Sequence, residues 1–142
     1  MWLWFTDREA LRTIDVYRLC YAATAVVAFL LTEAGRQVYR PYIYDTGIND
    51  YGVADSMGNL GGIVVQVFFS LAILNSQKQR AFNVIGFLVV GYILYEIVQP
   101  YLPRGVFDWK DIYGTLIGGG VSVLVLLMMR LIVRKNRVLV RF

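Results

Sequence analysis

Four stretches of this chain are long and apolar enough to cross a hydrocarbon core of roughly 30 Å, which takes about 20 helical residues. They run from about Val16 to Thr32, Ser56 to Leu74, Ala81 to Val98 and Ile112 to Val133. Lipid offers no partner to backbone N–H and C=O groups, so each stretch is expected to be a helix that satisfies its own backbone. The turn Asn75-Ser76-Gln77-Lys78-Gln79-Arg80 is wholly polar and too short to recross the membrane, which makes spans two and three a hairpin. The expected fold is all-α: a four-transmembrane-helix bundle forming one membrane domain over residues 1–142.

Composition agrees, because 58% hydrophobic and 17% charged residues describe an integral membrane protein rather than a soluble domain of this length. The net charge of +4 does not argue for nucleic acid, since the basic residues flank apolar spans. Four crossings put both termini and the polar turn on one side. That side holds Arg8, Arg12, Arg18, Lys78, Arg80, Arg130, Arg134, Lys135, Arg137 and Arg141, the larger part of the 14 basic residues. The positive-inside rule then assigns both termini to the cytoplasm. Most of the acids gather at the opposite, outer end, which is where any chemistry is expected. The first residues carry Trp2, Trp4 and Phe5 and the capping-box sequence Thr6-Asp7-Arg8-Glu9. They read as a retained interfacial anchor without the pattern of a cleaved leader, and the basic tail from Arg134 to Arg141 reads as an anchor to anionic lipid. Cys20 is the one cysteine and there is no histidine, which removes an intrachain disulfide, the usual zinc sites and every His-based catalytic triad.

The two halves of the chain resemble each other. Asp55-x-x-Gly58-Asn59-Leu60-x-Gly62 has the spacing of Asp111-x-x-Gly114-Thr115-Leu116-x-Gly118, and Pro41-Tyr42-Ile43 upstream of the first matches Pro100-Tyr101-Leu102 upstream of the second. This predicts two tandem helix hairpins related by a pseudo-two-fold axis, each with an outer loop that opens on Pro-Tyr. Asp55 and Asp111 are expected to cap the helices they precede. Gly58 with Gly62, and Gly114 with Gly118, have the small-xxx-small spacing that lets helix backbones approach, so spans two and four are expected to touch each other, or each a neighbour, near the outer half of the membrane.

Glu96 is the residue that needs explaining, because a carboxylate in the last turn of a membrane helix faces the negative end of that helix. Gln99 lies on the same face, and Arg104 is the expected partner beyond Pro100 and Pro103. One outer pocket is expected to gather Glu96, Gln99, Arg104, Asp108, Asp111 and Thr115, with Asp55 and Asn59 from the other half. A salt-bridged plug that fixes helix ends is the plainer alternative.

The run Glu96-x-x-Gln99-x-Tyr101-x-Pro103-Arg104, followed by Asp108-x-x-Asp111-x-x-x-Thr115-x-x-Gly118, resembles the signature of the VanZ-like family of small membrane proteins, named for teicoplanin resistance. The resemblance covers roughly the last third of the chain. The family usually has Asn at Thr115 and a Gly between the Pro and the Arg, whereas here Gly105 follows Arg104. What the resemblance implies is a multi-pass protein of the bacterial cytoplasmic membrane, connected with the cell envelope or with low-level glycopeptide resistance.

Three functions remain open on the residues themselves. In the first, the outer site binds the headgroup of a membrane lipid or of a peptidoglycan precursor; Arg104 suits a phosphate, while the acids equally allow an amine. In the second, Glu96 or Asp111 is the general acid or base of a lipid-headgroup enzyme, although no activated nucleophile is visible and the balance is against catalysis. In the third, the chain is an accessory subunit that docks on another membrane protein or on a second copy of itself. No cofactor and no resident metal are expected, although Asp55, Asp108 and Asp111 could offer oxygen ligands to Mg or Ca.

Overall fold

A computed structural model describes residues 16–74, 78–103 and 105–139. The N-terminal anchor, the centre of the polar turn, Arg104 and the end of the basic tail lie outside the described residues. Helix α1 (Val16–Ala34) passes through a π-helical turn (Gly35–Tyr39) into α2 (Arg40–Thr46). Then follow α3 (Val53–Leu74), α4 (Lys78–Val98), a 3-10 turn (Gln99–Tyr101) and α5 (Trp109–Leu139). Four segments are long and apolar enough to span a membrane: Val16–Thr46, Val53–Leu74, Arg80–Tyr101 and Trp109–Ile132. The described residues are all-helical, without a strand, in a four-helix bundle.

The first span is longer than its apolar run. It does not stop near Thr32, and Pro41 does not open a loop but sits in the first turn of α2. Proline lacks an N–H and its ring crowds the carbonyl one turn back, which would normally break a helix. Here the turn ahead of it is widened, with the Arg40 N–H donating to Gly35 O, and this wide turn makes room for the ring. The helix ends at Gly47, whose φ of 66° suits a residue without Cβ and whose N–H donates to Ile43 O at 3.0 Å.

α3 is the central helix: α1 packs along one side and α5 along another, while α4 lies on α5 and touches α3 more sparsely. The core joins Tyr21 and Ala25 of α1 to Ile63, Val67, Phe68 and Leu71 of α3, Ala81 and Ile85 of α4, and Leu126 of α5. Tyr21 and Phe68 meet at 6.2 Å between ring centroids in a tilted arrangement. Outside this seam the helices present large apolar side chains outward, among them Leu30, Leu31, Phe87, Leu124 and Leu131. Such a surface belongs in lipid, where apolar side chains need no cover.

As expected, spans two and four touch, but the two glycine pairs are used unequally. A Cβ on Gly114 would stand 2.6 Å from the Ser56 carbonyl, and one on Gly118 would collide with the Leu60 carbonyl. These two glycines set the close α3–α5 approach. Gly58 and Gly62 do not play the equivalent part: a Cβ on Gly58 would meet nothing within 4 Å, and the nearest atom to one on Gly62 is the Tyr92 hydroxyl at 3.7 Å. Gly61 instead brings α3 against Thr32 of α1. The expected two-fold equivalence of the glycines therefore fails, because α3 must serve three neighbours with one small-residue stripe.

Candidate functional site

The connections at 47–52 and 102–108 lie at one end of the bundle, the loop end, and set the starts of α3 and α5. Asp50 caps α3: its Oδ1 accepts from the Gly52 N–H at 3.0 Å and its Oδ2 from the Ala54 N–H at 2.6 Å. Tyr39 donates to the same carboxylate at 3.3 Å, which ties the π-helical turn to the cap. Asp108 caps α5, its Oδ1 accepting from the Lys110 N–H at 2.9 Å. The expectation that Asp55 and Asp111 are the caps is thus corrected. Both stand inside the first helical turn, where Asp50 and Asp108 have already taken the free N–H groups.

Freed from capping, Asp55 is the centre of a partly exposed polar cluster. Lys110 Nζ lies 2.6 Å from its Oδ2, Arg40 Nη2 lies 3.8 Å from its Oδ1, and the Tyr44 hydroxyl donates to Oδ1. Arg40 also donates to the Tyr44 hydroxyl at 3.2 Å, with its guanidinium 5.4 Å from the ring centroid. Lys110 reaches across because its stem lies over Gly52, whose φ of 85° and lack of a side chain leave the way open.

A second cluster is buried in the wedge between α3, α4 and α5. Glu96 is only 3% exposed, and its Oε1 accepts from the Asn59 amide at 3.2 Å. With its amide turned to satisfy both ends, Gln99 donates to Glu96 Oε2 at 2.7 Å and to the Val106 carbonyl at 2.9 Å. Gly105 makes this possible: any Cβ there would overlap the Gln99 carbonyl, so only glycine lets the loop fold back over the end of α4. Two amides therefore hold one buried carboxylate, and one of the two also fastens the loop.

The direction of Asp111 and Thr115 follows from their neighbours on α5. Gly114 and Gly118 face α3, whereas Gly119 faces Val89 of α4. At about 100° per residue, positions 111 and 115 fall between those two directions and so look into the wedge. Asp111 lies in the field of Asp108 and Asp55, countered by Arg40 and Lys110, and Glu96 in turn lies in the field of Asp111 and Asp108. Thr115 is fully buried, and its Oγ1 has no hydrogen-bond partner. That sets it apart from Thr24, Thr32, Thr46 and Ser122, whose hydroxyls each donate to the carbonyl four residues back at 2.7–2.8 Å.

Of the residues singled out in the sequence, the structure brings Glu96, Gln99 and Asn59 into contact, with Asp111 within electrostatic reach and Thr115 buried on the same side of α5 as Asp111. Asp55 belongs to the neighbouring cluster, Asp108 serves as a cap, and Arg104 lies outside the described residues. Arg40, Tyr44 and Lys110 were not foreseen. The first two are four apart on one helix, a visible signal, but the long reach of Lys110 to another helix leaves no trace in spacing. Asp55, Asp108 and Asp111 do not form a metal-ligand set, and no group of three carboxylates among the described residues does so. Compared with family models, curated proteins and solved structures, the chain has no match.

Proposed function

We propose that this chain is a VanZ-like envelope protein of the bacterial cytoplasmic membrane. On this reading it holds the polar head of an envelope lipid or peptidoglycan precursor at the outer membrane face and contributes to teicoplanin resistance. The observation that carries the reading is the buried Glu96 carboxylate, clamped by Asn59 and Gln99. A buried ionisable group in a membrane helix is expensive to keep and is by default a candidate site for a ligand. The residues of the VanZ-like run support it too, since Gln99 bonds Glu96 and Asp111 lies within its electrostatic field. Binding is favoured over catalysis, because Ser56 is tied to the Val53 carbonyl and Cys20 lies toward the other end of the bundle.

The test is teicoplanin susceptibility in a sensitive host expressing the wild-type chain, Glu96→Gln or Arg104→Ala at matched membrane levels. Resistance conferred by wild type and lost in both variants is the expected result. No resistance from wild type would sink the envelope reading and favour an accessory subunit of a membrane complex.

A further inference from the structure

We infer that the lipid-facing groove between α1 and α3 is a binding site for an anionic phospholipid, with an acyl chain lying along the groove and the phosphate at Arg18. The groove is open along its side and measures about 770 Å³, within the roughly 300–1,000 Å³ of sites that take a small ligand. Tyr21 meets Phe68 and Thr32 meets Gly61, so α1 and α3 run antiparallel, and Arg18 and Ile73 share the end away from the loops. From Arg18 to Phe29 the groove follows α1 for about 16 Å at 1.5 Å per residue. The buried Ala25 and Ala72 form its floor, while Leu19, Phe29, Phe69 and Ile73, each about half exposed, form its rims. Two small residues set between large ones leave the depression.

Its chemistry favours a hydrocarbon chain over another helix. Helices associate in lipid through close backbone approach or through hydrogen bonds between polar side chains. No glycine lines the groove, its small residues Ala22 and Ala25 on α1 are three apart rather than four, and α3 adds only Ala72. The glycines that do allow close approach serve other seams, Gly61 toward α1, Gly114 and Gly118 toward α3 and Gly119 toward α4. Arg18 is the one lining residue with a polar side chain. An acyl chain asks for no hydrogen bond and fits walls of Leu, Val, Phe and Ile by dispersion alone.

Arg18 supplies the choice of headgroup. Its stem can lie along apolar surface while the guanidinium reaches the headgroup layer, where it meets a phosphate through paired donors. The sequence assigns the larger part of the basic residues to this side of the membrane, which favours an anionic headgroup over a zwitterionic one. The groove is separate from the Glu96 site, and the inference does not rest on the reading of that site.

The full chain, purified in mild detergent, is offered phosphatidylglycerol and phosphatidylethanolamine of identical acyl chains, and retention is read by native mass spectrometry with unfolding temperatures recorded for every variant. The expected result is a preference of about fivefold for phosphatidylglycerol, what one basic residue gains beside anionic lipid. Arg18→Gln should abolish the preference while some of both lipids is still retained. Ala22→Phe fills the groove from an exposed position and should abolish retention of both. Leu30→Phe, equally exposed on α1 but outside the groove, and Glu96→Gln should leave retention unchanged. Equal retention of the two lipids by the wild-type chain, or a preference that survives Arg18→Gln, would overturn the headgroup assignment. Retention undiminished in Ala22→Phe would place the lipid elsewhere and overturn the site. A dimer that Ala22→Phe dissociates would show that a second copy, not a lipid, fills the groove.

Discussion

The side-chain amide of Asn59 on α3 donates to the buried Glu96 carboxylate on α4 across 3.2 Å, joining two helices that otherwise touch sparsely. Hydrogen bonds between membrane helices contribute about 0.6 kcal/mol on average and up to roughly 1.7. A double-mutant cycle on Asn59→Ala and Glu96→Gln, read by unfolding in mixed detergent, should give a coupling of about 1 kcal/mol. Strict additivity would mean that the two side chains do not hold the seam together.

The glycines make opposite predictions at equivalent places in the repeat. Gly114→Ala pushes a methyl against the Ser56 carbonyl and should loosen the α3–α5 seam, because backbone cannot move aside cheaply. Gly58→Ala meets only open space and should be neutral or stabilising by roughly 0.5–1 kcal/mol, the ordinary helix preference for alanine over glycine. Both are measured by thermal unfolding in the same detergent. Equal losses at the two sites would contradict the asymmetric packing.

Capping and cluster formation are separable. Asp50→Ala removes an acceptor from two N–H groups at the start of α3 and should cost about 1 kcal/mol. Asp55→Asn removes a carboxylate whose cationic partners are nearly half exposed, and its effect on stability should be smaller and should shrink further as salt is raised. Unfolding curves at two ionic strengths compare them. A larger loss at Asp55 than at Asp50 would return the structural role to Asp55.

Orientation in the membrane is testable without any ligand. With Cys20→Ser as background, Val106→Cys places a thiol at an exposed position of the loop end. A membrane-impermeant maleimide should label it in intact cells if the positive-inside assignment of the termini holds. Labelling only after the membrane is opened would reverse the topology and move the wedge to the cytoplasmic face.

Hydropathy alone revealed the existence and order of the spans, because burial in lipid demands nothing subtler than length and apolarity. What it misjudged were the places where a second residue competes. Asp55 and Asp111 stand nearest the apolar runs and look like caps, yet Asp50 and Asp108 lie further out, at the true helix starts, and reach the free N–H groups first. The small-xxx-small spacing marks a face that can be approached without naming the neighbour, so Gly58 and Gly114 look alike in sequence and behave differently in the bundle. The approach of Gln99 and Asp111 to Glu96 was legible because helix periodicity and one short connection fix it. The Asp55 cluster was not, since Arg40, Tyr44 and Lys110 meet it through side-chain reach between separate helices.

The wide turn at Gly35–Tyr39 also resets the angular phase of everything beyond it. One additional residue in a helical turn rotates the following side chains by roughly 100° relative to an unbroken α-helix. It is this rotation that turns Tyr39 toward Asp50, buries Ile43 and aims Tyr44 at Asp55. Spacing rules counted across Gly35 therefore pair the wrong residues. The loop end is accordingly tuned by chain length as well as by side-chain identity: deleting a single residue from this turn would keep a membrane-spanning helix yet swing Tyr39, Arg40 and Tyr44 away from α3 together, a loss that no one substitution among them would reproduce.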